Sequence, residues 1–148
     1  TSAAVIGCTV RAGPGAGVVF ADRAGGLLED CDISGHQLDG VVIAGRADPE
    51  VRGNRIHGCR ACGILVRDGG RGTLTDNDIR GSGIAGVAVR GAGAAPAVRG
   101  NRICDGLGKG VDVHDGAAGR FEGNEISGNA MDGFVIKAGA DPEGVGNR

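Results

Sequence analysis

The sequence predicts an all-β fold, a right-handed, single-stranded parallel β-helix of about six coils, each with 23–24 residues and three strands. Three observations lead to this prediction: apolar residues recur with a fixed period, the apolar runs are short and alternating, and the segments between them are rich in glycine. Glycine accounts for 32 of the 148 residues, yet 41% of the chain is hydrophobic and the net charge is only −2. A chain of this composition can bury a core when a period organises its glycines. The right hand follows from the chirality of parallel crossover connections.

The first predicted strand of each coil carries the residue that defines the period. One apolar side chain returns at intervals of 23 or 24 residues, at Val10, Ile33, Ile56, Ile79, Ile103 and Ile126. Such a period is typical of solenoids, in which each repeat is one supersecondary unit that stacks on the next.

The second predicted strand has two apolar positions, and the third has one. Those of the second strand are Val18, Val41, Ile64, Val87, Val111 and Phe134, followed two residues later by Phe20, Ile43, Val66, Val89, Val113 and Ile136. Those of the third strand are Leu28, Val51, Leu74, Val98 and Phe121, with Gly144 in the sixth coil. Short β-branched runs with period 2 predict strands. Because one coil cannot bury these side chains alone, stacked coils must share a core.

Two turn positions are also periodic. A glycine precedes the second strand at Gly17, Gly40, Gly63, Gly86, Gly110 and Gly133, where we expect a positive φ or a close approach of another backbone. An asparagine follows the third strand at Asn54, Asn77, Asn101, Asn124 and Asn147. We expect left-handed backbone at these asparagines, with side-chain amides that bond the coils above and below.

The residue just before the apolar position of the first strand alternates in charge between coils. The series is Thr9, Asp32, Arg55, Asp78, Arg102, Glu125 and Arg148. A partial alternation follows the third-strand apolar position, at Glu29, Arg52, Thr75, Arg99 and Glu122. Because parallel strands stack about 4.8 Å apart, this alternation places opposite charges side by side. We expect ion-pair ladders that specify the register more than they stabilise the fold.

Segments 48–57, 67–79, 96–103 and 113–126 resemble the parallel β-helix repeats of the pectate-lyase-like superfamily, in particular those of F-box ubiquitin-ligase substrate receptors and of uncharacterised bacterial β-helix proteins. The resemblance implies the fold but no single activity, since that superfamily includes lyases, epimerases, hydrolases and non-catalytic recognition modules. In the F-box receptors it implies a surface that binds protein segments, although no F-box pattern occurs in this sequence. We expect residues 1–148 to form one β-helix domain of a longer, cytoplasmic protein.

The outward residues of the second strand predict a binding surface. The middle residue of that strand reads Val19, Val42, Leu65, Ala88, Asp112 and Val135, which predicts an exposed apolar stripe. Two residues further along lie Ala21, Ala44, Arg67, Arg90, His114 and Lys137, which would edge the stripe with cations. The predicted binding residues are therefore Val19, Val42, Leu65, Val135, Arg67, Arg90, His114 and Lys137. The simpler interpretation is a solvated strand face made of ordinary β-formers.

Catalysis on a carbohydrate is the alternative, and its candidate residues are His57, Arg55 and Arg80. The preferred interpretation of His57 is a solvated member of the outward column Arg11, Ser34, His57, Arg80, Cys104 and Ser127. Asp32 and Asp78 lie two coils apart with Arg55 between them, which does not suit a calcium site. The sequence also lacks Trp and Tyr for stacking on sugars. We therefore predict a non-catalytic recognition or scaffold module that binds a protein or another domain of the same polypeptide, with carbohydrate binding or carbohydrate chemistry as the alternative.

The cysteines and the charge balance argue against further classes of function. Cys59-x-x-Cys62 together with His57 offers three ligands, one short of a tetrahedral zinc site, so we predict no metal and no cofactor. Cys8 and Cys31 lie on adjacent coils within bridging distance, but free thiols are the expected state in a reducing cytoplasm. With 16 basic and 18 acidic residues, the chain has no excess charge to attract nucleic acid. No apolar run approaches about 18 residues, so no membrane span is expected.

Overall fold

The computed structural model describes residues 3–148, and every strand in that range lies in one of three parallel sheets. In chain order the strands are β1 (Ala4–Ile6), β2 (Thr9–Arg11), β3 (Val18–Phe20), β4 (Leu27–Glu29), β5 (Asp32–Ser34), β6 (Val41–Ile43), β7 (Glu50–Arg52), β8 (Arg55–His57), β9 (Cys62–Val66) and β10 (Thr73–Thr75). They continue with β11 (Asp78–Arg80), β12 (Ala85–Arg90), β13 (Ala97–Arg99), β14 (Arg102–Cys104), β15 (Lys109–His114), β16 (Arg120–Glu122), β17 (Glu125–Ser127), β18 (Phe134–Ile136) and β19 (Glu143–Val145). Within these residues no helix is long and apolar enough to cross a membrane.

The three sheets run along the axis of the molecule, and each coil contributes one strand to each sheet. Sheet A consists of β1, β4, β7, β10, β13, β16 and β19, sheet B of β2, β5, β8, β11, β14 and β17, and sheet C of β3, β6, β9, β12, β15 and β18. In sheet B, Ile33 lies opposite Ile56, and Ile56 lies opposite Ile79. The other predicted apolar columns pair in the same register in sheets A and C. The predicted β-helix of six coils with three strands per coil is confirmed.

The apolar columns form one core that is continuous along the axis. Leu28, Ile56 and Phe121 are fully buried, because each has a coil above it and a coil below it. The ring of Phe134 packs edge-on against Phe121, with 5.0 Å between the ring centroids. Ile136, on the last coil, has a neighbouring strand on one side only and is exposed. The middle coils therefore contribute most of the burial.

The glycines that precede sheet C are required by close packing. None of Gly17, Gly40, Gly63, Gly86, Gly110 and Gly133 has a positive φ. A Cβ added to Gly63 would lie 2.4 Å from Cγ2 of Ile79 and 2.7 Å from the carbonyl oxygen of Gly86. Both contacts are with the next coil, so a side chain here would separate the coils. Of the two reasons expected from the sequence, close approach is confirmed at the first five glycines but not at Gly133, where a Cβ would lie 3.8 Å from Ile126, and positive φ is wrong at all six.

The asparagine ladder is present, but its backbone differs from the expectation. The side chains of Asn54, Asn77, Asn101, Asn124 and Asn147 bond coil to coil. None of them has a positive φ, and the left-handed residue is the one that precedes each of them, such as Gly53 before Asn54 and Asp76 before Asn77. The preceding residue therefore turns the chain, and the asparagine itself keeps a conformation that points its amide at the next coil. The predicted hydrogen bonds are confirmed, and the predicted left-handed asparagine is wrong.

The turn that follows sheet C absorbs a difference in coil length. Val89 pairs with Val66, 23 residues earlier, whereas Val98 pairs with Leu74, 24 residues earlier. The extra residue therefore lies between Val89 and Val98, in the turn that connects β12 to β13. The sheets on both sides keep their register.

Candidate functional site

The three residues predicted as catalytic candidates face one depression on the outer surface of sheet B. Arg55, His57 and Arg80 line a groove of about 300 Å³ together with Asp78 and Asp105. They come together because β8 and β11 are adjacent strands, with Arg80 opposite His57 and Asp78 opposite Arg55. The structure thus places the three residues in one groove, and their role in catalysis stays a prediction.

The basic groups of this groove are already paired with carboxylates of the protein. His57 Nε2 lies 2.7 Å from Oδ1 of Asp32, and Arg80 Nε donates to Oδ1 of Asp78 at 2.7 Å. The hydrogen bond with Asp78 raises the pKa of Arg80. Arg55 lies 3.7 Å from Asp32. The cations of sheet B are therefore largely neutralised by neighbours within the protein.

The predicted ion-pair ladders are formed at some steps and missing at others. Arg55 pairs with Asp32 and Arg102 pairs with Glu125, as the alternation predicts. Asp78 lies between two arginine-bearing coils, yet its ion pair among the described residues is with Arg80 of its own strand. In sheet A the predicted steps from Glu29 to Arg52 and from Arg99 to Glu122 are present.

The apolar stripe on the outer face of sheet C is mostly buried, which corrects the sequence expectation. Val42 is 6% exposed and Leu65 is 8% exposed, whereas Val19 on the first coil is 58% exposed. Val135, on the last coil, is half-buried. A second apolar cluster, which we call the outer cluster, covers the middle of this face and consists of Val42, Ala44, Cys62, Leu65, Ala85 and Ala88. Each side chain of the outer cluster is covered by the equivalent side chains of the coils above and below it. Small side chains of the neighbouring columns cover its sides.

Asp112 interrupts the outer column of sheet C with a buried carboxylate. Its side chain is 8% exposed, and its Oδ2 accepts a hydrogen bond from Lys109 Nζ at 2.9 Å. Lys137 Nζ lies 3.9 Å from the same oxygen. The bond with Asp112 raises the pKa of Lys109. Oδ1 of Asp112 has no hydrogen-bond partner among residues 3–148. The sequence analysis missed Lys109, although an acidic residue in an apolar column calls for a nearby cation.

Basic side chains follow one another along the edge of sheet C that leads into the next turn. Arg90 lies opposite His114, and Arg67 and Lys137 occupy the same position on the coils before and after them. Arg67 pairs with Asp68, and His114 Nδ1 lies 2.9 Å from Asp115. Arg90 is exposed and forms no ion pair with any described residue.

The turn that follows this edge adds two arginines that the sequence analysis did not select. Arg23 and Arg46 sit in tight turns closed by hydrogen bonds from Ala24 N to Ala21 O, at 2.9 Å, and from Ala47 N to Ala44 O, at 3.1 Å. Neither arginine forms an ion pair within the described part of the chain. With them, every coil places one basic residue at this side of sheet C. We call this row the basic edge, and it consists of Arg23, Arg46, Arg67, Arg90, His114 and Lys137.

Two members of the basic edge, Arg23 and Arg46, line two adjoining depressions. One, of about 350 Å³, is lined by Asp22, Arg23, Gly45, Arg46 and Asp68. The next, of about 470 Å³, is lined by Arg46, Asp68 and Arg71 among others. Arg46 and Asp68 are common to both, so the two depressions form one shallow channel beside the turn.

Burial disfavours the thiolate forms of the two cysteines in the Cys59-x-x-Cys62 motif. Burial raises the pKa of Cys59 and raises that of Cys62 to about 12. All five cysteines are free, and only Cys8 is exposed. Among residues 3–148, no three side chains of the metal-binding types converge on a common point. Protonated, buried thiols contribute to packing as small hydrophobic groups.

On the opposite edge of sheet C, the preceding turn exposes apolar side chains. Leu38, Ile84 and Met131 are each more than half exposed, and they share one column with Ala61 and Gly108. Ala61 and Gly108 interrupt the row, but Leu107, the residue before Gly108, is 73% exposed. Exposed apolar side chains therefore occur here on three successive coils, at Ile84, Leu107 and Met131.

Comparisons with known proteins agree with this fold. Residues 1–148 match the family described as "Right handed beta helix region". Among solved structures the chain matches "Crystal Structure of the periplasmic alginate epimerase AlgG", with a TM-score of 0.89 and 17% sequence identity. The match covers 97% of this chain but 38% of that one, so the chain spans little more than a third of the epimerase's length. At this identity the likeness shows the fold alone.

No curated protein matches the sequence. The predicted hand and the resemblance to β-helix repeats are thereby confirmed, and the chain belongs to the right-handed β-helix family.

Proposed function

We propose that this chain binds an acidic polysaccharide along the basic edge of sheet C. The observation that carries the proposal is the row itself, because each of six successive coils places one basic side chain on the same side of the rod. Parallel strands repeat about every 4.8 Å, so Arg67, Arg90, His114 and Lys137, at equivalent positions, present basic groups at regular intervals. Arg23 and Arg46 continue the row on the first two coils, two residues further along in the turn. A polysaccharide with one carboxylate per sugar presents negative charge at a similarly short, regular interval.

The mode of binding follows from the residues that are present. The chain has three Phe and no Trp or Tyr, which leaves electrostatic contacts and hydrogen bonds as the means of holding a sugar chain. A single exposed ion pair contributes only about 0.2–1 kcal/mol. Useful affinity therefore requires several contacts in series, which a polymer provides and a single sugar does not.

Two features favour sheet C over the groove on sheet B. In the sheet B groove, Arg80 and His57 each lie 2.7 Å from a carboxylate of the protein. On the basic edge, Arg67, His114 and Lys137 also lie beside carboxylates of the protein. Arg23, Arg46 and Arg90, however, have no ion-pair partner in residues 3–148. These three side chains can bind an external carboxylate without breaking an internal pair.

The comparisons also favour a carbohydrate over a protein partner. The similar structure is named as an epimerase of alginate, which is an acidic polysaccharide. Recognition of a protein, the main expectation from the sequence, depended on an exposed apolar stripe, and Val42 and Leu65 in that stripe are buried. Little apolar area therefore remains on this face for a protein interface.

The test is a titration of the protein with short and long oligouronates, with carboxyl-reduced oligomers of the same length as the neutral probe. We expect binding that strengthens with oligomer length, weakens as salt is added and disappears with the reduced oligomers. Arg90→Gln should weaken binding roughly twofold to fivefold. Arg11→Gln is the matched control, because Arg11 is an exposed arginine on sheet B without an ion pair among the described residues. Equal binding of charged and reduced oligomers would contradict the proposal.

A further inference from the structure

Arg23 and Arg46 have a left-handed backbone conformation, which costs an arginine more than a glycine. In the turn after sheet C, two consecutive residues have positive φ on five coils, as in a type I′ turn. The second of them is glycine on three coils, at Gly69, Gly116 and Gly139, with φ of 73°, 73° and 75°. On the first two coils the same position holds Arg23, with φ of 63°, and Arg46, with φ of 61°. The molecule therefore carries arginine where its own repeat favours glycine.

No contact within the described chain accounts for these two arginines. Neither forms a side-chain hydrogen bond or an ion pair with residues 3–148. The stem of Arg46 crosses the next coil above Gly69, since a Cβ on that glycine would lie 3.2 Å from Cγ of Arg46. The stem is thereby positioned by packing, and Arg46 lines both depressions of the channel.

Three carboxylates, those of Asp22, Asp48 and Asp68, line the two depressions, and none of them forms an ion pair with Arg23 or Arg46. Asp68 is paired with Arg67. Asp22 lies over the next coil, where a Cβ on Gly45 would be 3.6 Å from its Oδ1. A guanidinium that no internal carboxylate binds keeps its planar set of donors for an external one.

We infer that Arg23 and Arg46 form a carboxylate subsite at the N-terminal end of the basic edge, in which each guanidinium binds the carboxylate of one sugar of an acidic polysaccharide. This inference rests on the proposed function and deepens it. Backbone strain at these two positions is retained because the side chains bind ligand. The subsite extends the row from the strand edge onto the turn.

The test separates ligand binding from stability. Arg23→Gly and Arg46→Gly each restore the residue that the other coils use, so we expect a melting temperature equal to or above that of the parent protein. Affinity for a long oligouronate should fall roughly fivefold for each substitution. Arg46→Asn supplies a neutral residue that tolerates left-handed backbone, and it should bind as weakly as Arg46→Gly. Arg46→Lys keeps the charge but lacks the planar, forked set of donors of a guanidinium, so its affinity should lie between those of the parent and Arg46→Gly.

The outcomes distinguish this inference from the proposed function. If the Arg23→Gly/Arg46→Gly double variant binds like the parent while Arg90→Gln still weakens binding, the subsite is refuted and the basic edge stands. A double variant that melts several degrees below the parent would refute the strain argument. If the parent binds no oligouronate, the proposed function fails and the subsite with it.

Discussion

Asn54 and Asn77 are joined by two hydrogen bonds that end on one atom. Oδ1 of Asn77 accepts from Nδ2 of Asn54 at 3.0 Å and also from the backbone N of Asn54 at 3.0 Å. Nδ2 of Asn77 in turn donates to Val51 O at 2.9 Å and to Oδ1 of Asn101 at 2.9 Å. The side chain of each asparagine thus bonds polar groups of the coil before it, and its own amide donates to the asparagine of the coil after it.

Replacing Asn77 by Ala should therefore cost more than the loss of one hydrogen bond. The substitution leaves the backbone N–H of Asn54 and the carbonyl of Val51 buried without these partners, at about 1–3 kcal/mol for each group. We expect the free energy of unfolding in urea to fall by about 2–5 kcal/mol. Asn147→Ala, on the last coil, should cost less, because Asn147 is less deeply buried. An Asn77→Ala variant as stable as the parent would contradict the role of the ladder.

Cys31→Asn should extend the ladder by one step. Cys31 occupies the asparagine position on its coil, where its thiol lies 3.5 Å from Val5 O and its backbone N donates to Oδ1 of Asn54 at 2.9 Å. An amide here would donate to both oxygens, as Nδ2 of Asn54 does to Leu28 O and to Asn77. We expect an increase of about 0.5–1.5 kcal/mol in stability, measured by urea unfolding. Cys31→Ala, which offers no donor, serves as the control and should not stabilise the fold.

Leu65→Asp should destabilise the fold, because this residue is buried and does not lie on an exposed binding surface. Leu65 lies in the middle of the outer cluster, so an aspartate there would bury a charge among apolar neighbours. We expect a loss of about 2–4 kcal/mol in stability. Val19→Asp places the same change at the exposed end of the stripe and should alter stability by less than about 0.5 kcal/mol. Thermal unfolding of the two variants side by side checks the correction made for this surface.

Alkaline conditions should destabilise the fold through Cys62. Burial raises its pKa from the ordinary 9.0 to about 12. The unfolded chain therefore releases this proton at lower pH than the folded chain, and the stability it confers is complete below pH 9 and is lost as the pH rises toward 12. Cys62→Ala should reduce the loss of stability between these two pH values.

At pH 8, a thiol reagent should modify Cys8 at once and the buried cysteines only after unfolding. Rapid reaction of Cys62 would contradict this account.

Because of the repeat, the buried positions of this molecule can be predicted from its sequence. A column such as Ile33, Ile56 and Ile79 recurs at one interval, so its members must share an environment, and the structure buries all of them. The same reasoning located the glycines under the isoleucine side chains. It did not separate close packing from positive φ, because a sequence shows glycine for both reasons.

The outer surface was harder to predict because exposure there depends on neighbouring columns. Alternation along β9 places Leu65 outside the sheet, but Cys62 and Ala85 beside it close the cluster. Arg23 and Arg46 lie in turns, two residues beyond the column that holds Arg67 and Arg90. Their place in the turn could be recognised only from the backbone angles. The assignment of residues 1–148 to one domain of a longer, cytoplasmic protein stays a prediction.

The turn between β12 and β13 shows where this architecture tolerates change. It accepts an additional residue while the strands on both sides keep their partners. This connection can therefore lengthen by one residue without disturbing the stack. The shape of the surface at this turn is thus separable from the strands that support it.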